Sequence, residues 1–370
     1  MKLIHCADIH LNSSLSTHLD GDKQKQRRTE ILHTFLRMVD YAAEQSVDGI
    51  LIAGDLFDTK KVDRATGNAV LSAITGHPEI LFFYLRGNHD ADGFLQSLDE
   101  IPDNLKLFGD TWRYYAWEED GATIVITGAE SSARNAQTLY TSLRLNPKHI
   151  NLVMLHGQET PYASGAGRDA EQIPLALLQN KGIDYLALGH IHCPQDIKGS
   201  HHHARYCGTP LPVSFDETYP HSVSIIELEK GAEPQISTRE IENPIPLVTL
   251  PHDPTPFEDA LKLLEEYPEE KPAYLRLNVL TKGYLPPDCN EKASNAAKGK
   301  ACKYCYIKTT RERQADTDES KPISIQEMQE MSPLEIARLY YRETEGEEMD
   351  PELCQLMETV MQKVKSKNNS

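Results

Sequence analysis

The sequence predicts an α/β fold for most of the chain, on two observations. Short apolar runs without polar alternation, such as residues 80–85, are typical of strands covered on both faces of a largely parallel sheet. Amphipathic stretches with helical spacing separate the first three of these runs, which gives the β-α-β-α-β order of α/β proteins. The 370 residues suggest two or three domains with ample length for a hydrophobic core.

The first predicted unit, residues 1–245, contains alternating strands and helices. Ile31, Phe35 and Val39 recur at helical spacing and define the face of its first helix. The predicted helices cover residues 27–43 and 63–76, and the predicted strands begin near residues 2, 49, 80, 123, 151 and 183. Lys23, Lys25, Arg27 and Arg28 precede the first helix in this prediction, as either a solvated helix start or a contact to a nucleic-acid backbone.

Charge and cysteine content narrow the class of protein. The formal net charge is −18, so divalent metals or a basic partner would have to offset this acidity before the chain could bind a polyanion. Asp8 and His10 come too early for a signal-peptide core, and no run approaches the roughly 20 apolar residues of a spanning helix. The seven cysteines are scattered, which favours reduced thiols. We therefore expect a cytoplasmic protein without a membrane segment.

Five predicted strands end in side chains that bind metals or move protons. The carboxyl ends of parallel strands meet at one edge of a sheet, so these groups are expected to lie together. Two divalent metals about 3.5 to 4 Å apart need a bridging carboxylate and several nitrogen or oxygen donors. Asp55 is the natural bridge. The candidate ligands are Asp8, His10, Asp55, Asn88, His156, His190 and His192, and His89 lies beside Asn88.

These residues stand in motifs that resemble a known superfamily. The motifs are Asp8-x-His10, Gly54-Asp55-x-x-Asp58, Gly87-Asn88-His89-Asp90, His156 and Gly189-His190-x-His192. Together they resemble the calcineurin-type metallophosphoesterase superfamily. Residues 5–11, 53–58, 187–192 and 206–217 more narrowly resemble the SbcD family, the nuclease subunits of bacterial SbcC-SbcD complexes.

The resemblance implies a metal-dependent nuclease that uses two Mn²⁺ ions. Asp8, His10, Asp55 and His192 would hold one ion, and Asp55, Asn88, His156 and His190 would hold the other. His89 would protonate the departing 3′ oxygen. Asp90 would either orient the His89 ring or serve only the turn, and Arg86 is a candidate phosphate contact.

The implied substrates are double-stranded DNA ends and hairpins. The protein would cleave them as an exonuclease and as an endonuclease, in DNA repair, recombination and replication. An SbcC-like ATPase would be its partner in this activity. A homodimer of the nuclease domain is a possible assembly. Two alternatives stay open at this point: a metallophosphoesterase that acts on small phosphodiesters or phosphoproteins, and a DNA-end scaffold without catalysis.

The chain changes character after about residue 245. Residues 246–320 suggest a small α+β domain, which in the SbcD family caps the nuclease and positions DNA. Cys302 and Cys305 are either strand residues or half of a zinc site that lacks further nearby ligands. Residues 325–370 suggest a helical pair, since Ser332 and Glu335 form a capping box. The apolar face of the second helix packs either on the chain itself or, as the resemblance implies, on the SbcC-like partner. That face comprises Leu353, Leu356, Met357, Val360, Met361 and Val364.

Overall fold

The computed structural model divides the chain into two compact units, Met1–Arg311 and Glu312–Ser370. The structure describes residues 1–13, 19, 21–58, 62–90, 93–119, 121–160, 172–198, 203–229, 232–311, 332–345, 349–350 and 353–357. Three residues of the apolar face predicted for the last helix, Val360, Met361 and Val364, lie outside these ranges.

Two six-stranded sheets form the centre of the first unit. The strands of the first sheet are β1 (Lys2–Cys6), β2 (Gly49–Ala53), β3 (Leu81–Leu85), β4 (Leu105–Leu107), β13 (Val223–Glu227) and β14 (Gln235–Arg239). Their order across the sheet is β14-β13-β1-β2-β3-β4, in which β1 to β4 are parallel, β13 is antiparallel to β1, and β14 is antiparallel to β13.

The strands of the second sheet are β5 (Arg113–Glu119), β6 (Ala122–Gly128), β7 (Ile150–His156), β10 (Tyr185–Gly189), β11 (Gln195–Asp196) and β12 (His203–Tyr206). Their order across the sheet is β11-β12-β10-β7-β6-β5. The four central strands are parallel, and the two edge strands are antiparallel to their neighbours. A separate pair consists of β8 (Gln158–Thr160) and β9 (Gln172–Pro174).

The two sheets pack face to face with helices outside them. Leu51 of β2 and Met154 of β7 belong to the apolar layer between the sheets. Ile50 and Ile52 point to the other face of the first sheet and pack with the helix residue Phe35. The strands are apolar on both sides for this reason, and the predicted α/β fold, with strands covered on both faces, is confirmed. The helices of this part are α1 (Gly21–Glu44), α2 (Arg64–Gly76), α3 (Gly93–Gln96) and α4 (Ala136–Ser142), with a 3₁₀ turn at Leu175–Leu177.

One helix boundary differs from the prediction. Helix α1 begins at Gly21, so Lys23, Lys25 and Arg28 lie within its first turns and not before it. Arg27 is fully buried. Its guanidinium binds the Pro212 carbonyl and the Glu30 carboxylate. A contact from Arg27 to a nucleic-acid backbone is therefore excluded, because its charge is used inside the protein.

The small domain after residue 245 is a three-stranded parallel sheet with two helices. Its strands are β15 (Leu247–Thr255), β16 (Tyr274–Thr281) and β17 (Lys303–Arg311), and its helices are α5 (Phe257–Glu265) and α6 (Cys289–Ala296). Strands and helices alternate, so the arrangement is α/β and differs from the predicted α+β type. Strand β15 contains Pro251 and Pro254, and prolines are tolerated there because β15 is an edge strand. Cys305 lies in β17 and Cys302 is buried beside it, as expected for strand cysteines.

The second unit contains helix α7 (Pro333–Glu345). Glu335 accepts from the Ser332 backbone N–H at 2.6 Å, and the Glu335 N–H donates to Ser332 Oγ at 3.2 Å, which is the predicted capping box. Residues 353–357 are helical, and Leu356 is 60% exposed. Across the described residues, no helix is both long and apolar enough to cross a membrane.

Candidate metal centre

The loops after five parallel strands bring the candidate ligands to one edge of the sandwich. Asp8 and His10 follow β1, and Asp55 follows β2. The two loops run side by side, since the Asp8 N–H donates to the Gly54 carbonyl and the His10 N–H donates to the Asp55 carbonyl, both at 3.0 Å. The second sheet supplies the remaining histidines, with His156 at the end of β7 and His190 and His192 just beyond β10.

Backbone strain is concentrated in these loops. Asp8, His10 and Asp55 have φ angles of 53°, 52° and 50°, and His190 has a φ of 100°. Residues other than glycine rarely adopt this left-handed region, and such strain persists where the surrounding structure enforces it. Four of the candidate ligands therefore hold conformations that the fold imposes at a cost, which is typical of functional sites.

Two glycines leave room for the ligands. Gly54 has a φ of 97°, and a Cβ atom on it would collide with the His156 ring. A Cβ atom on Gly87 would collide with the carboxylate of Asp55. Any larger residue at either position would displace a candidate ligand.

The first group of donors comprises Asp8, His10 and His192, whose ligand atoms lie within 4.8 Å of one another. The Nε2 atoms of the two histidines face each other at 3.1 Å. Both oxygens of Asp8 accept the His190 backbone N–H at 3.0 Å, and the Asp8 side chain is fully buried. His10 Nδ1 is also buried, and it lies 3.9 Å from Asp58.

The second group is centred on His156. Its Nδ1 lies 2.9 Å from the Ala53 carbonyl. Its Nε2 lies 3.0 Å from Asn88 Oδ1 and 3.3 Å from Asp55 Oδ2. The ring of His190 contacts His156 edge to face, with centroids 5.3 Å apart. The ligand atoms of Asp8, Asp55 and His156 also lie within 4.8 Å, so the two groups adjoin.

Burial and pairing perturb the ionisation of this cluster. Burial raises the pKa of Asp8 to about 6 and lowers the pKa of His10 to about 4. Burial alone would raise the pKa of Asp55, but the hydrogen bond and charge of His156 lower it to about 2. Burial alone would lower the pKa of His156, but the hydrogen bond and charge of Asp55 raise it to about 9. The pairing of Asp55 with His156 therefore favours the charged form of both groups.

The donor set fits a pair of divalent cations. Imidazole nitrogens, carboxylates and an amide oxygen suit Mn²⁺ or a similar ion. Neutral imidazole nitrogens that face each other at 3.1 Å need a proton or a cation between them. Asp55 links the two groups, since its carboxylate lies within 4.8 Å of the ligand atoms of Asp8 in the first group and His156 in the second. All of the predicted ligands are brought together at this edge.

His89 lies at the exposed side of the cluster. Its side chain is 49% exposed, and its Nδ1 lies 2.8 Å from Asp58 Oδ1. Asp90 instead accepts the backbone N–H groups of Phe57 at 2.8 Å and Gly87 at 2.9 Å. The hypothesis that Asp90 orients His89 is therefore wrong, because the Asp90 carboxylate is used in the turn. Asp58 is the carboxylate that contacts the His89 ring.

Two residues of the site were missed in the sequence. Asp58 stands in the Gly54-Asp55-x-x-Asp58 motif, but the motif spacing does not say that it contacts His89. Glu217 stands at the end of the stretch 206–217, and its Oε1 lies 2.7 Å from His192 Nδ1. Both contacts join segments that are distant in sequence, so only the fold reveals them.

A cleft of about 790 Å³ adjoins the cluster at Asn88 and His156. Arg86 lines this cleft, and its guanidinium donates to Glu130 at 2.6 Å and 2.9 Å. The pairing with Glu130 leaves Arg86 less available to a phosphate than the sequence suggested.

Comparison with known proteins decides the family. The family model described as calcineurin-like phosphoesterase matches residues 1–194, more than half of the chain. This chain belongs to the calcineurin-like phosphoesterase family. A second model, described as type 5 capsule protein repressor C-terminal domain (SbcD_C), matches residues 243–345.

Curated relatives extend the likeness of this phosphoesterase over most of its length. It is 22% identical to the SbcD protein of the nuclease SbcCD from Escherichia coli (strain K12), over 95% of this chain and 94% of that protein. It is 25% identical to the corresponding SbcD protein of Bacillus subtilis (strain 168), over 63% of this chain and 68% of that protein. It is 25% identical to the DNA double-strand break repair protein Mre11 of Methanopyrus kandleri, over 65% of this chain and 57% of that protein. The predicted membership of the SbcD branch is confirmed.

Proposed function

We propose that this phosphoesterase is the nuclease subunit of an SbcC-SbcD-type complex and hydrolyses phosphodiester bonds in duplex DNA ends and hairpins. The observation that carries the proposal is the cluster of imidazoles and carboxylates with His89 at its open side. Likeness to SbcD and Mre11 proteins supports DNA as the substrate. The proposal includes both exonuclease and endonuclease cleavage, in a cytoplasmic setting.

Two cations, with Mn²⁺ as the proposed ion, would be divided between the two donor groups. Asp8, His10 and His192 fit one cation, and Asn88, His156 and His190 fit the other, with Asp55 shared. Bound cations would supply an activated water and charge stabilisation at the phosphate. The strained loops hold these donors close to one another.

His89 is the proposed general acid. The carboxylate of Asp58 holds the N–H of Nδ1, which leaves Nε2 as the atom that carries the transferable proton. Because the ring is half exposed beside His10, with centroids 5.1 Å apart, it lies where a phosphodiester would approach the cluster. Protonation of the departing 3′ oxygen by His89 would lower the barrier to bond cleavage.

The acidity of the chain bears on how DNA is held. A net charge of −18 opposes binding of a polyanion, so an SbcC-like ATPase would supply much of the positive surface. The exposed Leu356 and Tyr340 of the second unit are proposed to contact that ATPase. A homodimer through the nuclease domain is proposed as the assembly of the complex.

The test uses the full chain together with its SbcC-like partner. End-labelled duplex and hairpin DNA are incubated with Mn²⁺, with and without ATP, beside a chromogenic phosphodiester. We expect DNA cleavage that requires Mn²⁺. His89→Ala should reduce cleavage about 10²-fold to 10⁴-fold, the usual contribution of a general acid, and should leave Mn²⁺ binding in place.

His77→Ala is the matched control. His77 also pairs with a carboxylate, Glu79 at 3.0 Å, but it lies at the end of α2 outside the cluster. This variant should cleave like the wild type. Hydrolysis of the chromogenic diester without DNA cleavage would favour a small-molecule phosphodiesterase, and DNA binding without any hydrolysis would favour a scaffold. Full activity of His89→Ala would exclude the proposed acid.

A further inference from the structure

A carboxylate contacts the His192 ring nitrogen that does not face His10. Its Nε2 faces His10 Nε2 in the cluster, and its Nδ1 lies 2.7 Å from Glu217 Oε1. Metal-binding histidines commonly donate the second ring N–H to a carboxylate, which fixes the tautomer and the ring orientation. Glu217 is in this position relative to His192, and its side chain is only 10% exposed.

Glu217 is itself fixed by a short segment, residues 212–217. Its second oxygen, Oε2, accepts the Val213 backbone N–H at 2.9 Å. Its own N–H donates to the Ser214 carbonyl at 3.2 Å. Both carboxylate oxygens thus have defined partners, so Glu217 has little freedom to follow a displaced His192.

The small domain forms hydrogen bonds to the residues next to Glu217. Arg276 of β16 donates to Asp216 Oδ1 at 2.7 Å and to the Phe215 carbonyl at 3.1 Å. Its guanidinium also lies over the Phe215 ring, 5.3 Å from the centroid. Arg276 is 4% exposed while Asp216 is 65% exposed, so the guanidinium is buried against this segment and its charge-assisted hydrogen bonds attach the small domain to it.

From these contacts we infer that Glu217 is a positioning residue for His192 and that Arg276 of the small domain holds the segment that carries it. A continuous path of contacts runs from β16 through Phe215 and Asp216 to Glu217 and His192. The seating of the small domain on segment 212–217 therefore sets the geometry of one cation site. The inference rests on the proposed function only in assigning His192 as a ligand.

Metal binding by the full-length chain tests this inference without DNA. Mn²⁺ affinity is measured by calorimetry, and the visible absorption of bound Co²⁺ reports the ligand geometry. Glu217→Gln should weaken one of two bound ions about 10-fold to 100-fold, the usual effect of removing such a partner. It should also change the Co²⁺ spectrum, which a purely structural role would leave unchanged. Arg276→Met should cause a smaller change in the same direction.

Arg37→Met is the matched control for Arg276. Arg37 donates to the Glu242 carbonyl at 2.7 Å and to Thr34 at 3.0 Å, away from segment 212–217. This variant should leave the Mn²⁺ affinity and the Co²⁺ spectrum unchanged. If Arg37→Met weakened Mn²⁺ as much as Arg276→Met, the path through Phe215 and Asp216 would be wrong.

A double-mutant comparison separates positioning from general destabilisation. In a His192→Ala background, Glu217→Gln should have no further effect on Mn²⁺ affinity. An equal effect in both backgrounds, or an affinity for Glu217→Gln within about twofold of wild type, would overturn the inference. Two tightly bound Mn²⁺ ions without DNA cleavage would instead refute the proposed function and leave this inference standing.

Discussion

The candidate metal centre and the contact surface of the small domain both contain buried charged groups, but these groups are paired differently in the two regions. At the domain contact, Arg27 binds Glu30 at 3.2 Å, and Tyr274 of β16 donates to the same carboxylate at 3.1 Å. Each charge there has a local partner. In the cluster, by contrast, the Nε2 atoms of His10 and His192 face each other, and buried carboxylates from neighbouring loops lie close by.

This difference separates a structural network from a binding site. A buried ion pair such as Arg27 and Glu30 finds its opposite charge within the chain. Donor atoms that converge on one point need a bound cation at that point to balance them. We therefore expect changes in the network of Arg27, Glu30 and Tyr274 to alter the free energy of unfolding, and changes in the cluster to alter metal binding and catalysis.

Asp55→Asn should give the largest effect. Asp55 is the donor shared by both groups, and stabilisation by a metal is worth several kcal/mol, so cleavage should fall by about 10³-fold or more. Mn²⁺ affinity, measured by calorimetry, should fall as well. Asp184→Asn is the control, because Asp184 accepts the Asn151 N–H at 2.7 Å near the start of β7. The cluster lies at the opposite end of this strand, where His156 is located. Equal losses in the two variants would contradict a special role for Asp55.

Glu30→Ala should show the opposite pattern. It leaves the buried Arg27 guanidinium without its carboxylate, which should lower the free energy of unfolding by about 3 kcal/mol. Denaturant unfolding in the absence of metal measures this change. Mn²⁺ affinity should stay within about twofold of wild type, since Arg27 keeps its bond to the Pro212 carbonyl. A large loss of metal affinity would show that the two regions are not separable.

Asp58→Asn tests a residue at the edge of the cluster. Asp58 contacts His89 at 2.8 Å, and losing the orientation of that ring should lower kcat about 10-fold with little change in KM. Steady-state cleavage of hairpin DNA by the complex gives both constants. Unchanged kcat, or loss of the bound Mn²⁺, would assign Asp58 a different role.

Tyr274→Phe should give the smallest effect. The change removes one hydrogen bond to Glu30 and keeps the ring, so the free energy of unfolding should fall by about 1 kcal/mol. Thermal unfolding of the metal-free chain measures it. Cleavage should not change; a clear loss of cleavage would link this bond to the cluster.

Much of the site could be predicted because its ligands directly follow buried strands. The run at residues 80–85 predicts β3 (Leu81–Leu85), and the carboxyl-end rule then places Asn88 at the shared edge. The partners of polar side chains were not predictable in the same way. Asp90 and Asp58 both stand near the site in sequence, yet Asp58 contacts His89 and Asp90 binds backbone N–H groups. Arg27 belongs to a surface-like charge run, yet its neighbours in space bury it.

Local propensity also failed where tertiary pairing decides the structure. Prolines are disfavoured in strands, yet β15 contains Pro251 and Pro254, because it is an edge strand whose pairing with β16 is irregular between Leu250 and Thr255. Helix α1 begins at Gly21, before its predicted start at residue 27, and its Arg27 and Glu30 bind Pro212 and Tyr274, partners that the helix pattern alone does not contain.

The most direct test is the stabilisation of the chain by Mn²⁺, measured as the difference in unfolding free energy with and without the ion. At about 100 times the dissociation constant, one bound ion adds about 2.7 kcal/mol. We predict a stabilisation of at least this size for the wild type, the same stabilisation for Glu30→Ala on a lower baseline, and almost none for Asp55→Asn. A wild type that Mn²⁺ does not stabilise, or an Asp55→Asn variant stabilised as much as the wild type, would contradict the assignment of this cluster as a metal centre.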